Sequence, residues 1–153
     1  MNKSIGMSVR ENLRKRLLEG NHKKAVGVCI MAEDTKKVLL LLRGWAPHKG
    51  HWSILSGGME DGEDKLTTLK REIMEEIGID ADAKLTLKFK NTEKSADGTE
   101  FHYYESFTPT EFIPKLDAEN KDFGWYSLDD LPSPLYPKTK DKIEKICQKN
   151  SEK

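Results

Sequence analysis

Gly57-Gly-Met-Glu-Asp-Gly-Glu63 and, after seven further residues, Arg71-Glu72-Ile-Met-Glu75-Glu76-Ile-Gly78-Ile79 form the stretch whose reading decides the fold. From Glu63 to Ile77 the apolar residues Leu66, Leu69, Ile73 and Ile77 recur at spacings of three, four and four, which puts them on one face of a helix. Gly78 supplies the stop, because glycine adopts the left-handed conformation of a C-cap at little cost. Glu72, Glu75 and Glu76 stand at i, i+3 and i+4 and therefore share a second face. They crowd the C-terminal end of the helix, where the dipole is negative and carboxylates raise one another's pKa. A cation relieves that repulsion, and an all-oxygen set selects hard ions such as Mg²⁺ or Mn²⁺. Arg71 stands four residues before Glu75, so a solvated, salt-bridged helix face is the alternative reading.

On the N-terminal side, Lys24–Met31 and Lys37–Arg43 are rich in Val, Ile and Leu and flank Ala-Glu-Asp-Thr, which predicts a hairpin. Residues 44–50 have loop composition, His51–Leu55 reads as a short strand, and Ser56–Gly62 as a glycine-rich loop. Ser8 and Glu11 form a capping box ahead of Leu13, Leu17 and Leu18, so residues 8–20 are expected to be a basic helix packed across the domain edge. Downstream, residues 84–90 and 99–107 flank Ser-Ala-Asp-Gly and predict a second hairpin. Phe123–Tyr126 predicts a last short strand, and residues 138–149 an amphipathic helix with Ile143 and Ile146 inward. Mixed strands around one central helix indicate an α+β fold.

The chain has 153 residues, 36% hydrophobic and 34% charged, which suits a single domain with one core. Residues 1–153 are read as one domain, with a helical extension over 1–23 and a core over 24–149. Twenty-six basic and twenty-six acidic residues leave no positive excess to draw the chain to DNA or RNA. Cys29 and Cys147 lack metal-ligand spacing and read as reduced, structural thiols. No leader pattern or membrane-length apolar segment is visible, so a soluble, cytoplasmic protein is expected.

The quoted stretch resembles the complete Nudix box at every defining position: Gly57, Glu63, Arg71, Glu72, Ile73, Glu75, Glu76, Gly78 and Ile79. Trp52 before the loop and Gly124–Pro132 near the C-terminus are similar to the family's flanking segments, so the resemblance extends over residues 24–149. It implies an α/β/α sandwich with a mixed sheet and a central catalytic helix. It also implies hydrolysis of a pyrophosphate bond by water, with one or more divalent ions neutralising the phosphate oxygens. By the same resemblance Glu72, Glu75 and Glu76 are metal ligands together with the backbone carbonyl of Gly57. Arg71 and Glu63 pair to hold the loop and aim Glu72, with Gly58 and Gly78 as structural support. Glu119, ahead of the last strand, is the expected catalytic base, with Asp117 and Asp122 behind it.

The spacing Trp52-Ser-Ile-Leu-Ser-Gly57-Gly58 is similar to that of Nudix enzymes acting on diadenosine polyphosphates or capped RNA. The expected reaction is therefore cleavage of a nucleoside diphosphate linked to another moiety, such as ADP-ribose, NADH or a diadenosine polyphosphate. Two alternatives stand beside it: a diphosphatase that sanitises oxidised nucleoside triphosphates, and a non-catalytic Nudix module that binds a nucleotide. Members of the last kind typically lose the box glutamates or the arginine, and this chain keeps them. Arg43, Trp45, His51 and Tyr103 are the candidate substrate contacts, with Phe101, Tyr104, His48 and Lys49 beside them. The expected partner is a small-molecule nucleotide, not a membrane or a specific nucleic-acid sequence, and the protein is expected to be a monomer or homodimer.

Overall fold

In the computed structural model, residues 23–45 and 48–148 are described. The helix expected over 8–20 lies outside the described residues, as does Lys149 at the end of the last expected helix. Strand β1, Lys24–Ala32, is buried at every position after the first, so it must be covered on both faces. It pairs in parallel with β6, Glu100–Thr108, from Lys24↔Glu100 to Ala32↔Thr108. On its other edge it pairs antiparallel with β4, Leu55–Gly58, from Ala25↔Gly58 to Val28↔Leu55. Strand β2, Val38–Arg43, meets β1 in register only at Met31↔Val38. Beyond that rung the two strands part. β2 then pairs with β3, Trp52–Ser53, and with β7, Asn120–Tyr126, while β5, Thr86–Lys94, closes the far edge on β6. The segment from Trp52 to Gly58 spans the gap, pairing first with β2 and then with β1.

Alternation along β1 divides the core in two. Val26, Val28 and Ile30 face Leu69, Ile73 and Ile77 of helix α1, Lys65–Ile77. Cys29 and Met31 face Ile143, Ile146 and Cys147. Ile143 ends helix α3, Thr139–Ile143, which runs on into a single π-helical turn, Glu144–Gln148. Helices on both faces of a mixed sheet make the expected α/β/α sandwich of the α+β class. The thiols of Cys29 and Cys147 are free, buried and in contact at 2.7 Å.

The structure corrects several local readings. Ser56–Gly58 is strand, not loop, because its backbone completes the ladder on β1 despite the weak strand preference of glycine. Helix α1 starts at Lys65, capped by the Asp64 carboxylate, which accepts from the Thr67 N–H at 2.8 Å. Leu66, expected on the buried stripe, is 38% exposed. The buried stripe is Thr68, Leu69, Glu72, Ile73, Glu76 and Ile77, so the helix turns two glutamates toward the sheet instead of that leucine. A short helix α2, Ala81–Lys84, was not expected, and β5 reaches Lys94. Gly78 does end α1 in the left-handed conformation, at φ 69°, its N–H donating to the Met74 carbonyl at 3.0 Å.

Ile73 is fully buried, so Ile73→Ala should destabilise the fold by about 2–5 kcal/mol, whereas Leu66→Ala should cost about 1 kcal/mol or less. Thermal melting of both variants checks this. Equal losses would contradict the placement of the α1 stripe.

Candidate active site

Gly57 lies on β4 opposite Val26, with its missing side chain directed at α1. A Cβ built there would overlap the Glu72 carboxyl group and stand 2.6 Å from Glu72 Cγ. Only glycine lets Glu72, itself fully buried, lie flat on this strand. Arg71 locks the arrangement from one side. Its Nε donates to Glu63 Oε2 at 2.7 Å and its Nη2 to Glu63 Oε1 at 2.9 Å, a bidentate pair. Nη2 also donates to the Gly58 carbonyl at 3.3 Å, and Nη1 reaches Glu72 Oε2 at 3.2 Å and Glu75 Oε1 at 3.4 Å. Glu63 further accepts from the Glu60 N–H at 3.0 Å and the Thr68 hydroxyl at 2.8 Å. The Arg71 hydrogen bonds, with those of Glu60 and Thr68, hold the Glu63 carboxyl down at about pKa 2. Arg71 thus ties the glycine loop, the helix and Glu72 together, as the pattern implied.

The opposite side is anionic. Glu76 is buried and accepts from Asn120 Nδ2 at 3.3 Å. Burial raises its pKa well above the usual carboxylate range, and the charges of Glu72, Glu119 and Asp117 raise it further. Glu119 is buried as well, its N–H donating to Asp117 Oδ1 at 3.0 Å and its carbonyl accepting from Gly44 N at 3.0 Å. Trp45 clamps the same segment, its indole N–H donating to the Ala118 carbonyl at 2.9 Å. The end of β2 and the start of β7 therefore carry Glu119 to the Glu72–Glu76 face of α1. Among the described residues no three acidic, histidine or cysteine groups already converge as a metal shell. The donor set nevertheless fits a hard divalent cation: every donor is oxygen, Gly57 leaves the backbone bare beside Glu72, and the buried charge of Glu76 is otherwise costly.

On the other face of β4, a cleft opens beside Ser56, the neighbour of Gly57. Arg43, Phe101, Tyr103, Tyr136, Thr139 and Lys142 are among its walls. Arg43 is the register partner of Asn120, so a single β2–β7 rung carries the cleft's arginine and the amide that binds Glu76. Of the expected substrate contacts, Arg43 and Tyr103 line the cleft. Trp45 and His51 do not: Trp45 is engaged with Ala118, and His51 packs edge-on against His48. Lys142, Tyr136 and Asn120 were missed. Lys142 sits beside Ile143 on an amphipathic helix, where a lysine reads as solvated, and no spacing signal places it over a cleft.

A family model described as the NUDIX domain matches residues 21–146. This chain belongs to the Nudix family. The human 8-oxo-dGDP phosphatase is 29% identical over 114 residues, covering 72% of this chain and 34% of that protein. The dihydroneopterin triphosphate diphosphatase of Haemophilus influenzae is 28% identical over 126 residues, covering 72% of this chain and 78% of that one. Several of the curated relatives are longer proteins; the chain spans 50% of Nudix hydrolase 7 of Arabidopsis thaliana. The solved Escherichia coli dihydroneopterin triphosphate pyrophosphohydrolase shares the fold, with a TM-score of 0.69 at 24% identity over 80% of this chain and 93% of that one.

Because Glu63 has a folded-state pKa near 2, below its unfolded value, its contribution to stability is complete above about pH 5 and is lost as pH falls toward 2. Glu63→Gln should lower stability at pH 7 by about 1–2 kcal/mol and have a smaller effect near pH 3. Melting curves of both proteins at the two pH values check this. A pH-independent difference would mean that the charge of Glu63 is not what holds the loop.

Proposed function

We propose that the chain is a divalent-metal-dependent pyrophosphohydrolase, and that Glu72, Glu75 and Glu76 with the Gly57 carbonyl hold Mg²⁺ or Mn²⁺. The burial of Glu72 against the side-chain-free backbone of Gly57, with Glu76 buried beside it, carries this reading. The ion, when bound, supplies positive charge for the phosphate oxygens. Arg71 pairs with Glu72 and keeps it aimed. Glu119, brought beside Glu76, is the base that takes the proton of the attacking water, with Asp117 braced against its backbone. Arg43, on the facing side of the β2–β7 rung, meets phosphate oxygens at the mouth of the cleft. A non-catalytic binding role has less support, since every box carboxylate and Arg71 is retained, and Arg71 engages Glu63, Glu72 and Glu75.

For substrate, a single di- or triphosphate with no second moiety linked through its phosphates is the better-supported reading. The two relatives named for a substrate act on 8-oxo-dGDP and on dihydroneopterin triphosphate, each with a single fused ring. One aromatic-walled cleft beside Gly57 suits such a compound. Cleavage of a linked nucleoside diphosphate, such as ADP-ribose, NADH or diadenosine tetraphosphate, is the second reading, carried by the loop spacing before Gly57. The balanced charge of the chain supports a small-molecule substrate over a nucleic acid, and we place the activity in the cytoplasm. Among the described residues no helix is long and apolar enough to cross a membrane.

Incubation of GTP, 8-oxo-dGTP, 8-oxo-dGDP, ADP-ribose and diadenosine tetraphosphate with Mg²⁺ or Mn²⁺, with products separated by ion exchange, tests the proposal. Turnover should vanish in chelator, rise toward alkaline pH and be fastest on one of the three substrates with no second moiety on the phosphates, GTP, 8-oxo-dGTP or 8-oxo-dGDP. Glu119→Gln should lower kcat by about a hundredfold or more with little change in KM. Full turnover in chelator would defeat the metal assignment, and a wide preference for ADP-ribose or diadenosine tetraphosphate would select the second reading.

A further inference from the structure

The cleft is lined by an unusual pair of groups for a site that receives an uncharged ring. Lys142 extends its ammonium over three aromatic faces: Nζ is 5.5 Å from the Phe101 ring centroid, 5.6 Å from Tyr136 and 5.7 Å from Tyr103. The guanidinium of Arg43 lies 4.9 Å from the same Tyr136 centroid, so the two cations share one ring. Among the described residues no carboxylate lies within ion-pair distance of Lys142. Glu93, the acid that acts on it from a distance, is engaged by Lys145 at 3.0 Å. Burial also lowers the pKa of Lys142, which marks an ammonium partly stripped of water. Aromatic faces compensate such a charge only in part. A hydrogen-bond acceptor brought by a ligand completes it.

Lysine and arginine differ from the other polar groups of this cleft in one respect: they only donate. The hydroxyls of Ser53, Ser56 and Thr139 accept or donate as the ligand requires. The cationic end of the cleft therefore discriminates by the sign of the hydrogen bond. A guanine-type edge offers a carbonyl oxygen, an acceptor in guanine, 8-oxoguanine and pterin alike, where an adenine offers an amino donor at the same position. An amino group facing Lys142 leaves two partly desolvated donors opposed, which costs more than the loss of one hydrogen bond between neutral groups.

We propose that Lys142 is a specificity-determining residue that selects nucleotides whose ring carries an exocyclic carbonyl, of the guanine or pterin type, against amino-purines. The proposal rests on the reading of the cleft as the nucleotide's ring site and deepens it. Arg43, which stands between this cleft and the Glu76 side of the sheet, is assigned to the phosphate end, so Lys142 carries the ring selectivity.

Binding of GMP, 8-oxo-dGMP and AMP, measured by calorimetry in Mg²⁺ buffer, tests this without any turnover. The wild type should bind GMP and 8-oxo-dGMP about tenfold or more tighter than AMP. Lys142→Met keeps the length and the apolar stem, and should weaken the two oxo-ring nucleotides to the level of AMP while changing AMP about twofold or less. Lys142→Arg should restore most of the preference. In turnover, Lys142→Met should raise KM for GTP with kcat nearly unchanged. Equal binding of GMP and AMP by the wild type would overturn the proposal, as would a Lys142→Met loss shared equally by all three ligands. Those results would leave metal-dependent hydrolysis untouched. Conversely, an intact GMP preference in a protein that hydrolyses nothing would sink the pyrophosphohydrolase reading alone.

Discussion

A carboxylate buried against a strand that has no side chain is the constraint on which the rest of this structure depends. Glu72 is fully buried in the space that any Cβ at position 57 would fill. Burying a charge is costly unless it is paired. Arg71 provides the pairing, and it can do so only because Glu63 takes the rest of its guanidinium in a bidentate grip. The loop between Gly58 and Glu63 is thereby pinned to the helix at the place where a diphosphate would need rigid walls. Glu76 has no such partner in arginine. It is left beside Glu72, Glu119 and Asp117, with the Asn120 amide donating to it, and burial together with those neighbouring charges raises its pKa.

The sheet explains why these groups meet. β1 and β2 share one rung and then part; β3 and β4 fill the gap between them, and β7 pairs with the other edge of β2. The carboxylates collect on the α1 side of that region and the cleft on the α3 side. Consecutive residues Ser56 and Gly57 serve the two sides, as do the register partners Arg43 and Asn120. A substrate with a ring in the cleft and phosphates at its mouth would reach both without any strand moving.

Much of this was legible in the residues, and what was not has a physical reason. Periodicity located α1 and its glycine cap, because interactions within one helix are local, and the family resemblance implied the pairing of Arg71 with Glu63. The period alone put Leu66 on the buried stripe and the three glutamates on a second face. It could not register that Gly57 makes room for an acid and that the helix is therefore rotated on the sheet. Ser56–Gly58 read as loop because two glycines mask a strand that exists by pairing, not by propensity. Glu119 was placed from the family pattern, whereas its neighbour Asn120, and Tyr136 and Lys142 across the cleft, depend on contacts between segments far apart in the chain. Arg43 and Tyr103, read as candidate substrate contacts, line the cleft. Trp45 turned instead to the Ala118 carbonyl, where it fixes the segment that carries Glu119.

The central claim is that the Glu72–Glu76 pair is buried in order to be neutralised by a divalent ion, and a melting titration with Mg²⁺ tests it most directly. Because the folded-state pKa of Glu76 is raised, its ionised form opposes folding at pH 8, so Glu76→Gln should melt at or above the wild type in chelator. Added Mg²⁺ should then stabilise the wild type by about 2–3 kcal/mol at a hundredfold excess over its dissociation constant, while the variant stays nearly flat. A wild type indifferent to Mg²⁺, or a Glu76→Gln variant that melts well below it in chelator, would contradict the account.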